Sequence, residues 1–163
     1  MEKSPVLAIV VPCYKEEAVL HETHKRLSLL LDKLIAERHI SQHSYILYVN
    51  DGSTDQTVSL ATGLGAKVIP HPLNGDWSQQ RRFGISQAQS EWILFVDSDE
   101  RVSPELAKSI QRAIQGEPKT YWLHRYNLFH HNQATHGVVR PDKVLRLMPR
   151  EGATVEGAVH ESF

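Results

Sequence analysis

Short apolar runs alternate with amphipathic stretches along most of this chain, and each run ends in a polar, turn-forming segment. Residues 6–11 are an apolar, largely β-branched run closed by Pro12, and they predict a buried first strand with a loop from Pro12 to Glu17. Leu20, Leu27, Leu31, Leu34 and Ile35 then recur at spacings that share one helical face, with His24, Lys25, Arg26, Asp32 and Lys33 for the other. Residues 45–49 predict a second strand, residues 56–64 a helix that Thr54 or Asp55 could cap, and residues 67–69 a short third strand. A further helix is expected over residues 79–89, with Asp76 or Ser78 as its cap. Residues 92–96 are a continuous apolar run, the mark of a strand buried on both faces. Ser103 and Pro104 then form a helix-start pattern, and Leu106, Ile110 and Ile114 share one face before Gly116 ends the segment.

Strands that alternate with helices argue for an α/β fold, Rossmann-like, with a mostly parallel sheet flanked by helices and right-handed crossovers. Beyond Gly116 the pattern changes. Residues 120–129, 143–148 and 153–159 have strand-like composition but are joined by loops rich in His, Gly and Pro. They predict a mixed or antiparallel C-terminal extension beside the parallel sheet. There is no internal repeat and no low-complexity linker, so residues 1–163 are expected to form a single domain.

Composition narrows the field without redirecting it. Hydrophobic residues make up 40% and charged residues 23% of the chain, and the net charge is −1, so general nucleic-acid binding is not expected. Cys13 is the lone cysteine, which leaves no intramolecular disulfide and suits a reducing, cytoplasmic setting. The apolar run near the N-terminus is too short for a signal-peptide core or a bilayer span, so any membrane contact is expected to be peripheral, at the cytoplasmic face.

The stretch with most chemistry is Asp97-Ser98-Asp99-Glu100, which follows the fourth strand directly. Its carboxylates fall at the carboxyl end of a parallel strand, where open α/β sheets place their ligands. Two carboxylates this close are costly unless solvated, protonated or sharing a cation, and a metal ion could also hold a diphosphate. Arg81 and Arg146 are candidates for phosphate, which suits the planar guanidinium fork; since adjacent helical residues diverge by about 100°, Arg81 and Arg82 are not both expected to face one ligand. Asp51 precedes Gly52 and could equally form a plain Asx-turn. Glu16 and Glu17 suit the start of the first helix. His130, His131 and His136, and separately His21 with His24, lack any established zinc spacing. Cys13 is read as a small buried residue, since no basic partner is identifiable.

Several segments resemble the motifs of family 2 glycosyltransferases. Pro12-Cys13-Tyr14-Lys15-Glu16-Glu17 resembles that family's Pro-x-Tyr-Asn-Glu-Glu opening, with Lys15 where Asn is usual. Val49-Asn50-Asp51-Gly52-Ser53-Thr54-Asp55 is similar to its Asp-Asp-Gly-Ser-Thr-Asp loop, with Asn50 for the first acid. Asp97-Ser98-Asp99 is similar to its Asp-x-Asp metal motif. Gln79 to Gly84, Val96 to Ser103, and Arg146-Leu147 followed by Gly157-Ala158-Val159-His160-Glu161 resemble a branch associated with lipopolysaccharide-core glucosyl and heptosyl transfer. Relatives usually run on beyond the position of Phe163, so truncation at the C-terminus, with an incomplete acceptor site, is one expectation.

The resemblance implies the GT-A fold and an inverting transfer from a nucleotide-diphospho-sugar donor to a hydroxyl of a glycan or lipid-linked acceptor, with Mg²⁺ or Mn²⁺. On that reading Asp99 is the direct metal ligand, and Asp97 meets the ribose or the metal's water shell. Asp51 contacts the base or ribose, and Pro12, Tyr14 and Glu17 shape the nucleotide pocket. Glu161 is the first choice for general base, with Glu100 and Asp142 as alternatives, and His160 is a further metal ligand or positions Glu161. A nucleotidyltransferase would bring a glycine-rich phosphate loop after its first strand, and Pro12 to Glu17 holds no glycine. A non-catalytic sugar-nucleotide-binding domain stays open because of Lys15, Asn50 and the position of Phe163.

Overall fold

The computed structural model describes residues 3–13, 18–50, 57–70, 77–125, 128–129, 132–133, 142–151 and 153. Its elements run β1 (Leu7–Cys13), α1 (Leu20–Ala36), β2 (Tyr45–Asn50), α2 (Thr57–Gly63), β3 (Lys67–Pro70), α3 (Trp77–Gln87), β4 (Trp92–Phe95) and α4 (Pro104–Gln115). Then follow β5 (Tyr121–Arg125), β6 (Leu128–Phe129), β7 (Asn132–Gln133) and β8 (Asp142–Pro149). A 6-stranded sheet has the order β3-β2-β1-β4-β8-β5, and β6 and β7 form a small separate hairpin.

β1, β2, β3 and β4 are mutually parallel, as the alternation predicts. The strand order reverses at β1: the chain steps outward to β2 and β3, then returns to place β4 on the other side of β1. If every crossover keeps one hand, that reversal sends α3 to the opposite face of the sheet from α1 and α2. The core shows this division. Leu7, Ile9, Val11, Tyr48, Leu94 and Val96 pack with Leu20, Leu27, Leu31 and Leu34 of α1, Ala61 of α2 and Ile110 and Ile114 of α4. Ala8, Val10, Leu47, Val49, Ile93 and Phe95 form the other cluster, with Phe83 and Ile85 of α3 against it. Successive side chains of a strand point to opposite faces, so two covered faces require near-continuous apolar strands.

The two described helix N-termini differ: Val19 precedes α1 without a side-chain cap bond, whereas α4 follows its local signal. Ser103 caps α4 as expected, its Oγ accepting from the Leu106 N–H at 3.0 Å, with Pro104 at the first helical position. α3 begins at Trp77, two residues earlier than the sequence pattern predicts, so Ser78 is a helical residue and not its cap. Gly84 lets α3 approach the sheet closely: a Cβ there would lie 2.7 Å from Val10 Cγ1. On α1, His24 departs from the expected solvent face and bonds the hydroxyl of buried Tyr48 through Nδ1 at 3.0 Å.

Two boundaries differ from expectation for identifiable reasons. β1 runs through Pro12 to Cys13 instead of stopping at residue 11. The Val10 C=O accepts from Val96 N–H, so Pro12, two residues on, directs its nitrogen the same way, past the end of β4. The ladder therefore loses no donor there. The apolar stretch 120–129 divides into β5 and β6, and β8 inserts between β4 and β5 in antiparallel pairing with both. The antiparallel extension is as expected, but β5 becomes the outer edge although it precedes β8 in the chain. Ala153 lies outside any strand, and the rest of the strand expected over residues 153–159 is outside the described residues.

Candidate active site at the carboxyl end of the sheet

The reversal of strand order at β1 leaves a crevice outside the carboxyl ends of β1 and β4, the usual ligand position in open α/β sheets. Pro12 and Cys13 end β1 there, Asn50 ends β2 beside them in register with Cys13, and Asp97 to Glu100 follow β4. Cys13 is buried, as the sequence suggests, and so is Asn50.

The turn after β4 is built by reciprocal bonds. The Glu100 N–H donates to the Asp97 C=O at 2.9 Å. The Asp97 N–H donates to Glu100 Oε1 at 2.7 Å. A third anchor comes from α1, where Thr23 Oγ1 donates to the Ser98 C=O at 2.6 Å in a buried bond. These bonds satisfy backbone groups that the end of a strand leaves without ladder partners.

Asp97 is gripped from two elements. Arg81 of α3 reaches its Oδ1 at 3.0 Å, and Arg146 of β8 reaches its Oδ2 at 3.3 Å. Both arginine side chains are nearly inaccessible, at 5% and 7% exposed. The Arg81 guanidinium also lies over the Phe95 ring, 5.1 Å from its centre, so its plane is held as well as its charge. Glu100 shares the same cations: its Oε2 is 3.7 Å from Arg146 Nη2 and 3.6 Å from Nη1 of Arg125 on β5. Burial pushes the Glu100 carboxyl up from the usual range, the Asp97 charge adds to this, and Arg146, the Asp97 N–H and Arg125 pull back.

Asp99, by contrast, is exposed. The structure thus brings together Asp97, Arg81, Arg146 and Glu100, places Asp99 beside them on the open side, and places Pro12 at the end of the neighbouring strand. Arg82 is exposed where Arg81 is buried, in keeping with the angular argument. Tyr14, Glu17, Asp51, His160 and Glu161 lie outside the described residues, as do His130, His131 and His136. Sequence reasoning missed Thr23 and Arg125, neither of which carries a local signal. The loop-closing part of Glu100 had one: an acid three residues after a turn-opening Asp is the spacing of a capping box.

Among the described residues no group of three or more His, Cys, Asp or Glu side chains could enclose a metal ion. A hard cation of the Mg²⁺ or Mn²⁺ kind does not need one, since it usually takes one or two carboxylates and completes its shell with water and substrate phosphate. An exposed Asp99 beside a fixed Asp97 fits that donor set. A cavity of about 540 Å³ lies elsewhere, lined by Val6, His24, Tyr45, Lys67 and Gln89 among others. It sits by the amino ends of β1, β2 and β3, at the opposite end of the sheet from Asp97.

Residues 8–152 match Glycosyl transferase family 2, and the chain belongs to that family. Among curated relatives it is 49% identical over 105 residues to an uncharacterized glycosyltransferase, YkoT, of Bacillus subtilis, a match covering 60% of this chain and 31% of that protein. It is 30% identical over 125 residues to an uncharacterized glycosyltransferase of Rickettsia bellii, covering 72% of this chain and 42% of that protein. The chain thus spans well under half the length of these relatives. The fold is similar to that of Mycobacterium tuberculosis glucosyl-3-phosphoglycerate synthase in complex with Mn²⁺, UDP and phosphoglyceric acid (TM-score 0.55, 21% identity, 71% of this chain and 41% of that one). It is also similar to the Pyrobaculum calidifontis mannosyltransferase PcManGT in complex with GDP-Man and Mn²⁺ (TM-score 0.53, 15% identity, 66% of this chain and 32% of that one).

Proposed function

We propose that this chain is a single GT-A domain that moves a sugar, with inversion, from a nucleotide-diphospho-sugar to a hydroxyl of a glycan or lipid-linked acceptor. The observation that carries the reading is the division of labour after β4: Asp97 is fixed by Arg81 and Arg146 while its neighbour Asp99 stays open. Membership of the family and the Mn²⁺ named with its structural neighbours support it.

Both Asp97 oxygens already meet guanidinium groups, so Asp99 is the carboxylate free to meet a divalent cation, and His160 is the candidate second ligand. Bound Mg²⁺ or Mn²⁺ would neutralise charge that develops on the leaving diphosphate. Asp97, held between the Arg81 and Arg146 guanidinium groups, is placed to accept from a ribose hydroxyl or from metal-bound water. Asp51, Tyr14, Glu17 and Pro12 are assigned to the nucleotide. In the transfer the acceptor oxygen bonds to the anomeric carbon from the face opposite the leaving group, and the bond to the diphosphate oxygen breaks. The acceptor proton passes to a general base, for which Glu161 is the first candidate. The resemblance of Arg146-Leu147 and His160-Glu161 to lipopolysaccharide-core transferases favours a cell-envelope glycan as product. No helix among the described residues is long and apolar enough to cross a membrane. A lipid-linked acceptor would be met at the cytoplasmic face of the membrane.

The test is calorimetric titration of UDP, GDP, ADP, CDP and dTDP, with and without Mn²⁺, into wild type and Asp99→Ala. Metal-dependent binding of one nucleotide that Asp99→Ala loses is expected, with a fall of about 10²–10³ in turnover of the matching donor. Nucleotide binding that ignores Mn²⁺ and Asp99 would overturn the metal assignment. Metal-dependent binding without transfer to any acceptor would instead favour a non-catalytic sugar-nucleotide-binding domain.

A further inference from the structure

Glu100 stands among the candidate bases, yet its surroundings describe a different task. Oε1 is taken by the Asp97 N–H at 2.7 Å, and Oε2 faces Arg125 and Arg146 at 3.6 and 3.7 Å. The side chain is 20% exposed, and each oxygen is directed at the protein. A base must meet the acceptor hydroxyl within hydrogen-bond reach, and a carboxylate committed on both oxygens meets it poorly.

What the side chain does hold is the loop. Its bond to the Asp97 N–H and the return bond from the Glu100 N–H to the Asp97 C=O close a ring around Ser98 and Asp99. Arg146 spans the Asp97 and Glu100 carboxylates, at 3.3 and 3.7 Å, so the ring is tied to β8, and Arg125 ties it to β5. Thr23 secures the Ser98 carbonyl from the opposite side. With those groups fixed, the Asp99 side chain is left on the exposed side of the turn. We propose that Glu100 is a positioning residue, whose carboxylate, through the Asp97 amide and Arg125 and Arg146, sets the loop conformation that presents Asp99 to a cation–diphosphate pair. The presentation part rests on the transferase reading above; the loop-holding part does not.

Two measurements separate them. In the ligand-free protein, amide hydrogen exchange at Asp97 should quicken about tenfold in Glu100→Ala, the size of one lost bond to a charged acceptor. Glu100→Gln, which keeps an acceptor for that N–H, should exchange within about threefold of wild type. Unchanged exchange in Glu100→Ala would overturn the proposal whether or not any nucleotide binds. With Mn²⁺ and the nucleoside diphosphate selected by the panel, Glu100→Ala should bind about tenfold more weakly and Glu100→Gln should recover most of that loss. A Glu100→Gln protein that binds Mn²⁺ and nucleotide like wild type but loses turnover together with the acidic limb of its pH profile would make Glu100 the base and overturn the positioning role. If wild type itself shows no Mn²⁺-dependent binding, the transferase reading and the presentation step fall together, and exchange alone decides whether Glu100 holds the loop.

Discussion

The parallel half of the sheet and its antiparallel extension are built on different principles, and the site lies at their joint. β1, β2 and β4 are apolar almost throughout and are covered on both faces, by α1, α2 and α4 on one side and α3 on the other. β5 and β8 mix burial with charge. β5 alternates half-buried Tyr121, Leu123 and Arg125 with exposed Trp122 and His124, and β8 sets buried Arg146 beside Leu145 and Leu147. Asp97 receives one guanidinium from each half, Arg81 from α3 and Arg146 from β8. The parallel half supplies a packed platform and one of the cations, Arg81, while the extension adds Arg146 and Arg125, which tie the charged loop to it.

Gly84→Ala should break the platform side of that comparison most strongly. The added methyl meets Val10 Cγ1 at 2.7 Å, and Val10 is a stiff β-branched residue buried in a central strand. Overpacking of this kind costs about 1–3 kcal/mol, which should lower the urea midpoint with little change in slope. A neutral Gly84→Ala would mean that α3 is free to lift from the sheet, and the platform would not be rigid.

Arg146→Met addresses the extension. The methionine keeps much of the buried stem but leaves Asp97 with Arg81 alone. Asp97 is 34% exposed, so solvent moderates the loss, and about 1 kcal/mol of stability is expected. A double-mutant cycle with Asp97→Asn should return a coupling of similar size. Zero coupling would show that β8 holds its place by Leu145, Leu147 and Met148 alone.

α4 connects the two halves, and its cap offers a smaller test. Ser103→Ala removes the exposed bond to the Leu106 N–H and should cost about 0.5–1 kcal/mol, read by thermal unfolding. Wild-type stability in this variant would mean that the burial of Ile110, Ala113 and Ile114 fixes the helix start without its cap.

The parallel half was legible in the sequence because local pattern and tertiary role coincide there. An apolar run such as residues 92–96 is readable as buried on both faces, and the Ser103-Pro104 signature marks α4 within a residue. Asp97 and Asp99 could be placed at a strand end by the same logic. The extension was less legible because its partners are remote in sequence. Nothing local tells β8 to enter between β4 and β5, or tells Arg146 and Arg125 to meet carboxylates 49 and 25 residues away in the chain. Thr23 is hidden for the same reason, since its bond to Ser98 spans 75 residues and its own neighbourhood reads as plain helix. The resemblance gives Asp99 and Asp97 different roles, but nothing local shows that Asp97 is the one the arginines hold and Asp99 the one left exposed.

The smallest expected effect concerns a polar tie between α1 and β2 inside the mostly apolar platform. His24 of α1 bonds the Tyr48 hydroxyl of β2 at 3.0 Å, and burial, with the nearby His21 charge, lowers its pKa from the usual 6.5, while a bond to the Leu64 backbone pulls the other way. Burial raises the Tyr48 hydroxyl far above its ordinary value, so it stays a donor, and neutral His24 accepts from it at Nδ1. A histidine whose folded pKa lies below its unfolded value binds fewer protons when folded. Its contribution is therefore full above about pH 6.5 and is lost as pH falls from there through the folded value. The melting temperature of wild type should decline over that window, and His24→Gln should flatten the decline while leaving the behaviour above it little changed. An equally steep decline in His24→Gln would assign the pH sensitivity elsewhere, and the platform would then rest on apolar burial without a polar tie between α1 and β2.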